Sequence, residues 1–318
     1  MKITVIGCGR WGSFIGWYLD KQGHDITFYG PATAPHMIQY QKTRTNGIVT
    51  LNEGIKLSTE IKEVQGAEII VISINSQGLQ GLMNELKPLD LKNKIFVLCM
   101  KGIEVETGRR LSQITSDNTD SSNKVAVWLG PGHVQEFCRN IPNCMVIDSE
   151  DEKTKEFLVD KFSSNLVRFY YGQDLLGNEI GAASKNVIGL AAGMLDGLDL
   201  STLKGALMSR GTREIARLIS AMGGNELSAY GLCHLGDYEA TVFSKFSHNR
   251  QYGEDFVQGK QFKDLAEGCS TVKAMMLLQD KYNVELPICS AVYKILYENQ
   301  QAKNVLSELF SRKITNEI

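Results

Sequence analysis

Three glycines stand at G-x-G-x-x-G spacing in Gly7-Cys8-Gly9-Arg10-Trp11-Gly12. The β-branched run Lys2–Ile6 comes directly before them, and a stretch of helical spacing, Trp11–Gln22, directly after. In such a strand–turn–helix context the first glycine permits the tight turn. The second leaves room for a pyrophosphate, and the third lets helix and strand pack closely, while the helix N-terminus faces the phosphates. The pattern is weak alone and strong in this setting. It assigns Gly7, Gly9, Arg10, Trp11 and Gly12 to a bound dinucleotide.

The following sequence keeps the rhythm that such a turn requires. Asp25–Tyr29, Glu68–Ile74, Lys94–Leu98, Val125–Leu129 and Cys144–Ile147 read as buried strands, and Leu79–Leu86 as a helix between two of them. Thr115–Asn123 is rich in turn formers and reads as a surface loop. Beyond about residue 172 strands give way to helical stretches at Leu175–Leu198, Leu203–Met222, Lys263–Tyr282 and Ser290–Leu309. The expected fold is therefore a Rossmann-like, doubly wound α/β sheet over residues 1–172 and an all-α domain over 173–318, with the substrate in the cleft between the halves. The end of the second strand, Phe28-Tyr29-Gly30-Pro31, carries neither the acid that favours NAD nor the arginine that favours NADP. His36 is a candidate neighbour for a 2'-phosphate with no further support in the sequence, so the choice of NAD or NADP stays open.

Composition narrows the classes. A net charge of -2 gives no long-range basic field for nucleic acid. No apolar run reaches the roughly 18–20 residues of a membrane span. Met1-Lys2 leads straight into the first strand without an apolar leader, so a cytoplasmic protein with no integral membrane association is expected. The seven cysteines form no C-x-x-C pair, and the five histidines are scattered. Reduced structural thiols and no bound metal are the expectation.

A second constellation carries chemistry. In Ala182–Ala192, Lys185 and Asn186 sit among small and apolar residues on a helix. A lysine there either snorkels or finds partners, and burial lowers its proton affinity toward the range of acid–base work. Hydride transfer to a ketone needs such an acid at the carbonyl oxygen. Lys101-Gly102-Ile103-Glu104 and Gly130-Pro131-Gly132 follow strand ends, where ligand sites of open α/β sheets form. Gly236–Thr241, Ser247–Arg250 and Glu267-Gly268 complete the set.

These motifs resemble the NAD(P)-dependent glycerol-3-phosphate dehydrogenases, in order and spacing, over nearly the whole chain: GCGRWG at 7–12, CMKGIE at 99–104, GP at 130–131, NEIGAASKNVIGLAAG at 178–193, SRGTREIARL at 209–218, GG at 223–224, GDYEAT at 236–241, S-x-NR at 247–250, EGCST at 267–271 and LPI at 286–288. The resemblance implies interconversion of dihydroxyacetone phosphate and sn-glycerol 3-phosphate, with Lys185 as the acid. It implies that Lys101 and Asp237 bind or orient substrate and Lys185. Thr241 joins that hydrogen-bond network, and Gly130, Gly132, Asn186, Ser247, His248 and Asn249 surround the substrate. Lys101, Val134, His248 and Glu267 meet the cofactor. Self-association as a homodimer through the helical half also fits.

The chain departs from the family at three places. His248 replaces an arginine, and a histidine has one donor and a pH-dependent charge where the guanidinium is a permanent fork; Arg250 is the neighbouring substitute. Gly132, His133 and Val134 replace a hydroxyl residue, an aromatic and an alanine. Asn75 replaces a proline at a strand end. Two alternatives therefore stand beside the dehydrogenase: a paralogous reductase of another phosphorylated or acidic carbonyl compound, and a non-catalytic nucleotide-binding sensor.

Overall fold

A computed structural model describes residues 1–311. The described residues divide into two compact units, one of residues 1–101 and 109–179, the other of residues 102–108 and 180–311. This division falls inside a helix, and a short segment after Lys101 goes with the second unit.

The first unit is built on an eight-stranded sheet. Its strands are β1 (Lys2–Ile6), β2 (Asp25–Tyr29), β3 (Lys56–Ser58), β4 (Ile69–Ile72), β5 (Ile95–Leu98), β6 (Lys124–Leu129), β7 (Asn143–Ser149) and β8 (Val167–Tyr171). They lie in the order β3-β2-β1-β4-β5-β6-β7-β8. The first six run parallel in the order of a dinucleotide-binding sheet. β7 then pairs antiparallel with β6, Leu129 opposite Val146, and β8 runs parallel to β7. Helices α1 (Arg10–Lys21), α2 (Pro35–Thr43), α3 (Leu79–Leu86), α4 (Leu111–Asp117), α5 (Val134–Phe137) and α6 (Glu152–Phe162) connect them. Strands β4 and β5 are almost wholly apolar because both faces of a parallel sheet are covered. Trp128, Phe162 and Phe169 pack with Tyr18 in the core, Trp128 and Phe169 edge to face at 4.8 Å.

Two expectations are corrected here. The polar stretch from Thr115 is not all loop: Leu111–Asp117 is helical. Its turn-forming side chains bond back to helix carbonyls, Thr115 Oγ1 to Leu111 and Asn118 Nδ2 to Ile114. Strands β3 and β8 join the sheet at its two edges without having been expected.

The second unit is helical: the body of α7 (Leu175–Gly197), then α8 (Lys204–Ala221), α9 (His248–Val257), α10 (Glu267–Tyr282), α11 (Pro287–Tyr297) and α12 (Ala302–Phe310). The single helix expected over Ser290–Leu309 is two, interrupted by Asn299 in the left-handed region. Lys263–Ala266 precedes α10 rather than starting it. Helices α7 and α9 cross at backbone contact. A Cβ on Gly193 would overlap the carbonyl oxygen of Arg250, and one on Gly253 would overlap that of Leu190. Among the described residues no helix is long and apolar enough to cross a membrane.

Candidate active site

In the first unit, the turn between β1 and α1 has the shape its glycines imply. Gly7 has φ +104°, and its N–H donates to the Tyr29 carbonyl at 3.0 Å. A side chain on Gly7 would overlap the carbonyl oxygen of Ser73, and one on Gly12 that of Gly7. A Cβ on Gly9 would meet nothing within 4 Å. Two glycines are therefore demanded by close packing, while the middle one borders open space in front of the N-terminus of α1. A pyrophosphate fits such a place, since the first-turn N–H groups have no intrahelical acceptor. Arg10 and Trp11 open that helix. Trp11 packs against Phe14 and Phe137, and its buried indole N–H has no hydrogen-bond partner among the described residues. His36 is exposed in the first turn of α2.

Lys101 lies just past β5, and its Nζ donates to the carbonyl of Gly130 at 2.7 Å, just past β6. Two strand ends are thereby joined. Gly130 and Gly132 have φ +127° and +141°. A Cβ on Gly132 would run into the Phe137 ring, which explains why no hydroxyl residue stands there. Val134 is buried at the start of α5. Asn75, in place of a proline, uses its Oδ1 to cap the next turn by accepting from Gln77 N–H at 3.0 Å.

In the second unit, α7 carries Lys185 and Asn186, both nearly buried. Lys185 Nζ donates to Thr241 Oγ1 at 2.7 Å and lies 3.1 Å from Asp237 Oδ2. Thr241 in turn donates to the Asp237 carbonyl at 2.7 Å. A single π-helical turn, Glu239–Phe243, sets Thr241 at this spot; such turns are rare. Asn249 Nδ2 donates to Asn186 Oδ1 at 3.1 Å, and Asn249 Oδ1 accepts from Gly268 N–H at 2.9 Å. Ser247 caps α9. Glu267 opens α10, where its carbonyl accepts from Thr271 Oγ1 at 2.9 Å.

His248 Nδ1 donates to the Leu265 carbonyl at 3.3 Å, with its ring edge-on to Phe262. Arg250 does not stand in for the missing arginine. Its guanidinium is engaged by Asp196 at 2.8 Å, Glu254 at 2.9 Å and the Ser244 carbonyl at 3.2 Å. Lys204 shares Asp196 at 2.6 Å, and these cations hold the Asp196 carboxyl below the usual carboxylate range despite its partial burial.

Sequence reasoning missed one pair. His234 and Tyr238 are fully buried beside Asp237, and Tyr238 Oη lies 2.7 Å from His234 Nε2. The four-residue separation of a histidine and a tyrosine was the available signal. Among the described residues no group of His, Cys, Asp and Glu is arranged to hold a metal.

Comparison with known proteins fits this geometry. Residues 2–155 match the family described as NAD-dependent glycerol-3-phosphate dehydrogenase N-terminus, and residues 174–307 the one described as its C-terminus. The chain belongs to the NAD-dependent glycerol-3-phosphate dehydrogenase family. The chain is similar to two family members called glycerol-3-phosphate dehydrogenase [NAD(P)+]. One, from Fusobacterium nucleatum, is 35% identical, covering 98% of this chain and 97% of that protein. The other, from Chlorobium phaeobacteroides, is 33% identical, covering 100% and 99%. A solved glycerol-3-phosphate dehydrogenase from Coxiella burnetii superposes with a TM-score of 0.91 at 25% identity, covering 98% of this chain and 99% of that one. A ketopantoate reductase from Ralstonia eutropha, at 15% identity and a TM-score of 0.65, shares the fold alone.

Proposed function

We propose that this member of the family interconverts dihydroxyacetone phosphate and sn-glycerol 3-phosphate with NAD or NADP. The observation that carries the reading is the Lys185–Asp237–Thr241 cluster: an ammonium group 3.1 Å from a buried carboxylate and 2.7 Å from a hydroxyl, on a helix of small and apolar residues. When bound, the reduced nicotinamide supplies a hydride to the ketone carbon. Lys185 gives a proton to the ketone oxygen as charge develops there, and solvent later restores that proton. Asp237 stabilises the lysine's charged form, and Thr241 fixes the direction of Nζ. Lys101, Asn186, Asn249 and the backbone N–H groups at the capped start of α9 are assigned to orienting the substrate. Gly130, Gly132, Ser247 and His248 are assigned to its surroundings. Gly7, Gly9, Arg10, Trp11, Gly12, Val134 and Glu267 are assigned to the dinucleotide, with Lys101 and His248 shared. The same reading takes the chain as a cytoplasmic enzyme that self-associates through its helical half, where Leu227, Phe243 and Leu265 offer exposed apolar surface.

Purified protein should consume reduced cofactor when given dihydroxyacetone phosphate, with NADH and NADPH tried in parallel. Lys185→Ala should abolish turnover, a loss of roughly 100-fold or more for a general acid, while leaving cofactor affinity near the parent's in a fluorescence titration. Turnover by that variant at the parent's rate would remove Lys185 from the chemistry. A parent that binds reduced cofactor but leaves this ketone untouched would point to another phosphorylated or acidic carbonyl compound.

A further inference from the structure

His234 has no task in the reaction as proposed, yet it is fully buried against the residues that do. Its Nδ1 lies 2.8 Å from the carbonyl oxygen of Gly181. A carbonyl only accepts, so Nδ1 carries the proton, and Nε2 accepts the Tyr238 O–H at 2.7 Å. Both ring nitrogens are committed and the tautomer is fixed. The Gly181 carbonyl is the one to which Lys185 donates its own backbone N–H in α-helical geometry. A side chain on Gly181 would press on His234 Cβ at 3.0 Å, so the glycine makes room for the ring. On the other side, the His234 carbonyl accepts from Asp237 N–H at 3.0 Å, and Tyr238 is the next residue in the chain. One imidazole thus ties the turn of α7 that bears Lys185 to the turn that bears Asp237.

We infer that His234, locked by Tyr238, is a positioning residue that holds Asp237 at hydrogen-bond distance from Lys185. The inference rests on the proposed role of Lys185 as the acid. Several groups face this cluster: Ser184 and Lys185 on α7, Asp237 and Tyr238 on its own segment, Thr212 and Glu214 on α8, and Cys289 on α11. Burial holds His234 down to about 4, so it stays neutral through the physiological range, and burial holds the Tyr238 phenol well above its ordinary value, so it stays a donor. Neither ring supplies charge. They act through distance alone.

The test is Tyr238→Phe, which removes one hydroxyl at constant ring volume, alongside His234→Ala and His234→Asn. Lys185 reactivity toward acetic anhydride is followed against pH by mass spectrometry, with turnover and reduced-cofactor affinity measured on the same preparations. In Tyr238→Phe the Lys185 labelling midpoint should move to lower pH, because a loosened carboxylate supports the ammonium less. The turnover number should fall roughly 3- to 10-fold, the size of one hydrogen bond, with cofactor affinity unchanged. His234→Ala should show a larger shift, and His234→Asn, which keeps a side-chain N–H near Nδ1, a smaller one. If His234→Ala does not fold, Tyr238→Phe carries the test. A Tyr238→Phe labelling curve that superimposes on the parent's overturns the inference, whether or not the parent reduces dihydroxyacetone phosphate. A parent that reduces no carbonyl phosphate overturns the functional reading alone, because the labelling curve is read without turnover.

Discussion

At Gly132 a departure from the family has a cause in its neighbour. Phe137 stacks on Phe14 with ring centroids 4.6 Å apart and contacts Trp11, so it has little freedom to withdraw from a new side chain. Gly132→Ser would also force a β-carbon onto a backbone at φ +141°. It should destabilise the protein by about 1–3 kcal/mol, read as a lowered melting temperature, and should not improve the Michaelis constant for a phosphorylated ketone. A Gly132→Ser protein that melts with the parent would mean that the ring moves aside. The polar residues of the candidate site were legible as residues: Lys185, Asn186, Asp237, Thr241 and Asn249 stand in motifs that can be read along the chain. Their contacts were not legible, because Lys185 meets Thr241 through a π-turn that no spacing rule anticipates. His234 and Tyr238 escaped for a related reason: local sequence shows that they stand four positions apart but not that both are buried.

Among the elements, α11 has an N-terminus made by another helix. Pro287 occupies its first turn and has no N–H, while Ile288 and Cys289 N–H donate to the two oxygens of Glu214 on α8, at 2.8 and 3.0 Å. Glu214 is buried, and its carboxyl is pushed up by burial against the pull of these donors. Glu214→Ala leaves two buried N–H groups unpaired and should cost ~2 kcal/mol or more; Glu214→Gln, which keeps one acceptor, should cost less. Thermal melts of the two variants check the order, and equal losses would point to packing rather than capping. Glu179, near the start of α7, does comparable work for the N-terminus of α4, accepting from Ser112 N–H at 2.9 Å and paired with Arg110 at 2.6 Å. The central strands were legible because buried parallel strands are unbroken apolar runs. Edge strands carry a weaker signature. β3 is three residues of mixed character, and β8 alternates buried Val167 and Phe169 with exposed Arg168 and Tyr170, so it needed a period-two reading in a segment flanked by serines and asparagine.

The molecule as a whole should lose stability in mild acid partly through one buried ring. His234 titrates at about 4 in the folded protein because burial disfavours its charged form, against an ordinary value of 6.5. Below 6.5 the unfolded chain takes up a proton that the folded chain refuses. The stability due to neutral His234 is therefore complete above pH 6.5 and is lost progressively as pH falls toward 4, amounting to about 3 kcal/mol. Urea midpoints measured from pH 7 to 4 should fall more steeply for the parent than for His234→Asn, whose side chain does not titrate. Parallel slopes would show that other groups govern the acid limb. The crossing of α7 and α9 has a different kind of consequence. Where Gly193 meets the Arg250 carbonyl and Gly253 the Leu190 carbonyl, main chain lies on main chain, and no graded series of larger side chains exists for drift to explore. The spacing between Asn186 and Asn249 is thus inherited whole or lost whole, and any change of substrate along a lineage built on this crossing has to pass through the polar side chains beside it.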